Sequence, residues 1–353
     1  MRKTYLLGIS RWKESRLKPF FPNDEVVFLS KWDSQIEEPK KIIIWGKKEF
    51  FDLKEYAIEK NIPIYRVEDG FIRSVSLGVD FSQPYSIIVD TIGIYFDSTQ
   101  SSELEEILNS YNFNQELLDR AKRVKKYLVD NKISKYNIYK DITIKLDKEK
   151  NQKTILVIGQ VEGDASLIYG ANSMKNIELL KEVYSNNPNA YIVYKPHPDV
   201  LNGNRLGDIE DTKALNHCNR IEKEVSVDSM LDIADEVHTM TSLVGFEALL
   251  RGKRVVCYGL PFYAGWGLTI DTQKTKRRKR VLSLEELIAG AYILYPKYID
   301  PITLKECEIE RVLEVLTIEK KTYHNSLVYR VKIKTKNFIY KKYYALLRHL
   351  LKD

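Results

Sequence analysis

Segment 159–166 (GQVEGDAS) places an amide and two carboxylates, Gln160, Glu162 and Asp164, among small residues directly after an apolar run. Ligands of open α/β sheets bind at the carboxyl ends of strands, so either carboxylate can act there as nucleophile or general base. The same residue types also make an ordinary solvated turn. Segment 195–198 (KPHP) follows a second apolar run, and its prolines lock the backbone around His197. An imidazolium there can hydrogen-bond a phosphate, with Lys195 and Pro198 beside it; the plainer alternative is a rigid exit turn. Segment 241–251 (TSLVGFEALLR) reads as strand end, cap and helix start. Thr241 or Ser242 would cap the helix, leaving free N–H groups and the positive dipole end for a phosphate. Glu247, one and a half turns on, would reach a ribose or else stand as an exposed helix carboxylate.

Three further segments are charged or aromatic. Segment 259–269 (GLPFYAGWGLT) is a Gly/aromatic loop. Gly265 and Trp266 would cover a ligand by backbone approach and stacking, or Tyr263 and Trp266 would pack between domains. Segment 274–280 (KTKRRKR) reads as a solvated basic loop or as a contact for anionic lipid or a phosphorylated acceptor. Segment 66–78 (RVEDGFIRSVSLG) brings Glu68 and Asp69 together with two arginines, as a salt-bridged loop or a substrate contact.

Strands must position these segments. Apolar runs at 5–10, 26–30, 42–45, 62–67 and 86–90 predict strands, with 93–96 as a further pairing segment. A helix is expected over 50–61, and a long one over 103–129 capped from Asp97. A second set of strands is expected at 154–158, 191–194, 236–240 and 255–258, with helices at 172–185, 227–234, 242–251 and 284–294. Runs without strict alternation imply strands covered on both faces, and intervening helices imply βαβ units. The charged stretch 130–153 is the expected boundary. This predicts two Rossmann-like α/β domains, 1–150 and 151–320, facing a central cleft, with a tail over 321–353.

Composition narrows the classes. The 353 residues carry 56 Lys+Arg and 49 Asp+Glu, net +7. Nine basic residues and one acidic residue fall in 321–353, leaving 47 basic and 48 acidic before it. A globally basic nucleic-acid binder is therefore not expected. No run approaches a spanning helix and residues 1–25 lack a signal-peptide pattern, so a soluble, cytoplasmic protein is expected. Cys218, Cys257 and Cys307 are isolated, and the five histidines show no metal spacing. The pattern over 338–351 projects as a basic amphipathic helix. Lys341, Lys342, Arg348, His349 and Lys352 form one face, and Ile339, Tyr340, Tyr343, Leu346, Leu347 and Leu350 the other. Attachment to an anionic inner membrane surface, or packing as a terminal helix, would use it.

Together the motifs are recognisable. RVEDGFIRSVSLG, GIYFD (93–97), GQVEGDAS, YKPHPD (194–199), SLVGFEALLRGKRVVCYG (242–259) and FYAGWGLT (262–269) occur in an order that resembles the KpsC-type β-Kdo transferases of bacterial capsule synthesis. The resemblance implies a retaining GT-B glycosyltransferase that uses CMP-β-Kdo and a saccharide or Kdo-glycolipid acceptor. In related retaining β-Kdo transferases a Gln-x-x-x-Asp motif carries the nucleophile, which here maps to Gln160 and Asp164, Gln160 orienting Asp164. Glu68 or Asp69 would serve as base for the acceptor hydroxyl. His197, Pro198 and Ser242 resemble elements that hold the CMP phosphate, and Glu247 would contact ribose or cytosine. Neither cofactor nor metal is expected, since His197, Ser242 and a helix N-terminus would stabilise the leaving phosphate. KpsC-type proteins usually carry two such modules in tandem and this length accommodates one, as a single-module homologue or as one half expressed separately. Another CMP-sugar transferase, sialyltransferase-like, and a non-catalytic capsule assembly or export scaffold are the competing readings.

Overall fold

The computed structural model describes residues 3–75, 82–135, 137, 142–201 and 205–350, with backbone only at 341 and 344–350. Positions 76–78 of the first charged segment, part of the 130–153 stretch, and Leu351 and Lys352 of the tail lie outside the described residues.

Among the described residues the strands are β1 (Thr4–Leu7), β2 (Val26–Leu29), β3 (Lys41–Trp45), β4 (Ile64–Asp69), β5 (Ser86–Asp90), β6 (Thr154–Ile158), β7 (Tyr191–Lys195), β8 (Arg220–Ile221), β9 (Glu236–Thr239), β10 (Arg254–Cys257), β11 (Ile270–Asp271), β12 (Pro296–Ile299) and β13 (Glu306–Cys307). The α-helices are α1 (Arg11–Leu17), α2 (Leu53–Glu59), α3 (Glu103–Ser110), α4 (Gln115–Asp130), α5 (Ala165–Gly170), α6 (Asn176–Asn186), α7 (Pro198–Leu201), α8 (Asp211–Leu215), α9 (Val227–Ile233), α10 (Leu243–Leu250), α11 (Leu284–Ile288), α12 (Ile309–Asn325) and α13 (Leu327–Leu350).

The chain forms two compact units. The first comprises Met1–Ile94, Lys135–Ile138 and Ala291–Asp353. Its sheet has the order β13-β12-β5-β4-β3-β1-β2, with β2, β1, β3 and β4 parallel and the remaining three antiparallel. Alternate side chains feed two cores. Leu6, Ile43, Val67 and Ile87 meet Leu17, Phe20 and Phe21 on one face; Tyr5, Leu7, Ile42 and Ile44 meet Leu53 and Ala57 of α2 on the other. Both faces are therefore apolar, which is why these strands read as continuous hydrophobic runs. Each fully buried Leu or Ile contributes about 1.5–3 kcal/mol of transfer free energy.

The second unit comprises Tyr95–Ser134 and Tyr139–Gly290. Its six strands are all parallel in the order β11-β10-β9-β6-β7-β8. Chain order runs outward from β6 to β8 on one side and from β9 to β11 on the other. This is the Rossmann order, with its topological switch point between β6 and β9. Ile155, Val157, Ile192, Tyr194 and Val256 pack under Leu167, Leu179, Leu180 and Val183. The expected α/β class with two Rossmann-like units is what the chain adopts.

Several local expectations differ. The units interleave instead of dividing near 150. Helices α3 and α4 belong to the second unit because Glu105 pairs with Arg277 and Arg278, and Lys125 with Glu285. Segment 291–353 returns to the first unit because β12 adds antiparallel to β5. Its leading Pro296 disguised that strand, although the first strand position tolerates a residue without an N–H. Segment 93–96 forms no strand. The expected long helix is two, separated where Asn114 caps α4, and α3 is capped by Ser102. Asp97 instead accepts hydrogen bonds from Thr99. The 284–294 helix changes to a π-helix over Ala289–Leu294.

Candidate functional site

In the second unit, the loops after β6 and β9 meet at the switch point, where a sheet opens a crevice. Gln160 joins them. Its Nε2 donates to Thr241 Oγ1 at 2.9 Å, and its Oε1 accepts from the Thr241 backbone N–H at 2.8 Å. Its backbone is clasped by Asn176, which accepts from Gln160 N at 2.8 Å and donates to Gln160 O at 2.7 Å. Gln160 is buried and its amide is spent on the β9 loop, so it does not orient Asp164 directly as expected. It fixes the loop from which Asp164 projects.

Asp164 caps α5. Its Oδ1 accepts from Ser166 N at 3.0 Å, while Oδ2 lies 3.7 Å from an Arg205 guanidinium nitrogen. Its side chain stays 43% exposed. Glu162, the other carboxylate, is committed to the Asn176 backbone N–H at 2.9 Å. Each carboxylate thus has one oxygen anchored by a backbone N–H, and the other oxygen of Asp164 lies toward Arg205.

The loop after β7 abuts this one, since Gly159 N donates to Lys195 O at 2.9 Å. His197 Nδ1 accepts from Asp199 N at 3.1 Å, which leaves the proton of the neutral ring on Nε2 as a donor. Pro198 opens the short helix α7. Lys195 does not stand beside His197 as a second free cation. Its ammonium is buried and donates to Val225 O at 2.7 Å. Burial pulls its pKa down to about 8, with Glu222 opposing.

After β9, Ser242 caps α10, its Oγ accepting from Val244 N at 3.3 Å. Tyr263 OH donates to Ser242 O at 2.5 Å and passes so close to α10 that a Cβ on Gly245 would lie 2.2 Å from it. Only glycine fits there. Glu247 is buried, contrary to an exposed carboxylate. The aromatic loop differs from expectation. Trp266 is fully buried, its Nε1 donates to Phe262 O, and the Arg278 guanidinium lies 5.7 Å from its ring centre. Gly265 N donates to Asp271 at 2.8 Å. Trp266 and Gly265 thus build the interior of this unit instead of stacking on a ligand. The basic run 274–280 is likewise divided. Arg277 and Arg278 grip Glu105, and Arg280 pairs with Glu286, while Lys274, Lys276 and Lys279 remain exposed.

The first unit carries its own cluster at the carboxyl end of β4. Asp69 Oδ2 lies 3.0 Å from Arg73 and 3.3 Å from Lys13 Nζ, which sits 3.5 Å over the Trp45 ring. Glu68 Oε1 accepts from Asp69 N at 3.0 Å. Burial raises the Glu68 pKa to about 7, more than Lys13 lowers it. Burial also opposes the Asp69 charge, but Arg73, Lys13 and Lys135 outweigh it and hold that carboxyl well below the usual range. One carboxyl can therefore exchange a proton near neutrality and its neighbour stays charged. Lys13 was not read from the sequence, although its place soon after a parallel strand was the available signal; Arg205 had no local signal.

A family model for capsule polysaccharide biosynthesis proteins matches residues 40–298. The chain belongs to that family. It is similar to the capsule polysaccharide modification protein LipA of Neisseria meningitidis serogroup A, at 43% identity over 331 residues, 91% of this chain and 46% of LipA. The lipopolysaccharide-processing protein LpsZ of Rhizobium meliloti is 39% identical, covering 89% of this chain and 74% of LpsZ. Among solved structures, Thermosulfurimonas dismutans KpsC, β-Kdo 2,7 transferase, aligns with a TM-score of 0.73 at 39% identity over 90% of this chain and 99% of that one. The β-Kdo 2,4 transferase of the same KpsC aligns with a TM-score of 0.77 at 35% identity, covering 88% and 97%. The KpsC-type resemblance read from the motifs is thereby borne out. This chain spans about half the length of LipA.

Proposed function

We propose that this chain is a retaining β-Kdo glycosyltransferase that moves Kdo from CMP-β-Kdo to a saccharide or Kdo-glycolipid acceptor in capsule or surface polysaccharide synthesis. The observation that carries the reading is Asp164, a carboxylate 43% exposed with one oxygen anchored, at the switch point of the second unit of a chain similar to two β-Kdo transferases. In the first step an Asp164 oxygen forms a bond to the ketosidic carbon as the bond from that carbon to the phosphate oxygen breaks. CMP departs with the electron pair. His197 Nε2–H, the Ser242 hydroxyl and the α10 N-terminus take up the charge on the phosphate, and the scheme uses no metal or cofactor. In the second step the acceptor oxygen replaces Asp164 on the same carbon and Glu68 receives its proton. Two inversions restore the configuration. Glu247 is assigned to the nucleoside.

We assign the working location to the cytoplasmic face of the inner membrane. Among the described residues no helix is long and apolar enough to cross a membrane. Helix α13 starts at Leu327, well before the expected 338, and holds no acidic residue. Val328, Val331, Phe338 and Ile339 are exposed on it beside Lys332, Lys334 and Lys336, as on a helix lying on anionic lipid. Tyr340 belongs to its packed flank, with Arg16 5.6 Å from the ring centre.

The test is intact mass after incubation with CMP-β-Kdo and no acceptor. One Kdo adduct with release of CMP is expected, lost in Asp164→Ala while the fold persists. No adduct and no CMP release from the native protein would overturn the mechanism.

A further inference from the structure

Beside Asp164 stands a cation that the scheme above leaves unused. Arg205 lies 3.7 Å from Asp164 Oδ2, an ion pair beyond hydrogen-bond distance, and its side chain is 52% exposed. Among the described residues no hydrogen bond claims its guanidinium. Its loop is nonetheless pinned to the site: Leu206 O accepts from Glu162 N at 2.9 Å, and Gly207 O accepts from Asn176 Nδ2 at 2.9 Å. Gly207 holds φ +122, and a Cβ there would come within 2.9 Å of Gln160 O, so glycine is required for the loop to approach this closely. The guanidinium is thus delivered by backbone contacts to the segment that carries the nucleophile.

We propose that Arg205 binds the donor sugar's carboxylate at the reacting carbon. The inference rests on the transferase reading. Its chemical ground is a conflict in that reaction. A 2-keto acid sugar carries a carboxylate on the very carbon that Asp164 attacks, so bond formation brings two anions together on one centre. Like charges at that separation repel. A cation next to the attacking oxygen relieves this, and the planar guanidinium fork matches a carboxylate with two parallel donors. Lys195 cannot do it, because its ammonium is turned onto Val225 O. In the resting protein Arg205 pairs with Asp164; with donor bound, the sugar carboxylate takes up its free N–H groups while Asp164 stays alongside. The site is thereby selective for nucleotide sugars bearing a carboxylate at the anomeric carbon.

The test compares the full chain with Arg205→Gln and Arg205→Lys, reading transfer from CMP-β-Kdo and inhibition by CMP, which lacks the sugar. Arg205→Gln is expected to lower kcat/KM about 100–1,000-fold, as loss of a transition-state donor does. Arg205→Lys should recover at least tenfold of that loss. Both variants should keep the CMP inhibition constant within about threefold, since neither the nucleotide nor the fold depends on this half-exposed side chain. Transfer by Arg205→Gln within about threefold of native overturns the assignment, as does an equal loss of CMP affinity. Native protein that transfers nothing from CMP-β-Kdo removes the transferase reading, and this inference with it. If native and Arg205→Gln proteins transfer equally, only the role of Arg205 falls.

Discussion

Glu68 and Asp69 are neighbours on one strand, yet their surroundings drive them apart. Asp69 looks at Arg73 and Lys13, two cations close enough to keep it charged despite burial. Glu68 bonds a backbone N–H and feels burial more than those cations, so its pKa rises to about 7. A base must be unprotonated to act, so transfer should increase as pH rises through about 7. Glu68→Gln should lose that acid limb and about 100–10,000-fold in rate. A pH–rate profile of Glu68→Gln that keeps the limb would assign it elsewhere. Residue types alone showed that chemistry could occur at 66–69, but not which carboxyl can exchange a proton near neutrality. The stronger cation at Asp69, Arg73, lies in the same segment, but the second, Lys13, comes from α1, more than fifty positions away.

At the scale of elements, the basic run 274–280 shows how composition misleads. Its exposed lysines fit a solvated loop, whereas its arginines are a strap. Arg278 is buried, bonds Glu105 and donates to Pro261 O and Ala264 O. Removing one partner of a buried pair strands the other, at about 3–5 kcal/mol. Arg278→Ala should therefore lose about 3 kcal/mol in urea unfolding, Arg277 continuing to support Glu105. A combined Lys274→Gln and Lys276→Gln change should stay within about 0.5 kcal/mol, as ordinary surface changes do. Equal losses in the two variants would contradict the strap. Trp266 follows the same logic, its indole N–H satisfied by Phe262 O inside the unit. A period of apolar residues reports which face is buried. It does not say whether an aromatic loop lies over a ligand or under its own backbone.

For the whole molecule, charge is a matter of place. Of the net +7, much sits on α13, whose outward side mixes apolar residues with lysines. Near an anionic bilayer each lysine contributes about 1 kcal/mol, falling off with salt. Replacing Lys332, Lys334 and Lys336 by Gln should weaken binding to phosphatidylglycerol vesicles about a hundredfold in co-sedimentation, and leave binding to neutral vesicles unchanged. Undiminished binding would mean that α13 serves packing alone.

What could be known from the sequence was local. Strands buried on both faces must be apolar throughout, and βα units put their loops at one sheet edge. The positions of 159–166, 195–198 and 241–251 after β6, β7 and β9 therefore followed from hydrophobic runs and turn residues. Ser242 as a cap was legible for the same reason. Tertiary structure decided which polar groups in those loops remain available. Lys195 is turned onto Val225 and Gln160 onto Thr241, whereas Asp164 and Arg205 face each other across 3.7 Å. Each outcome depends on a partner distant in the chain, and no local pattern encodes such a pairing. The same holds for β12, whose strand identity comes from β5 two hundred residues earlier. Local periodicity determines where a site can form; long-range pairing determines what the site can do.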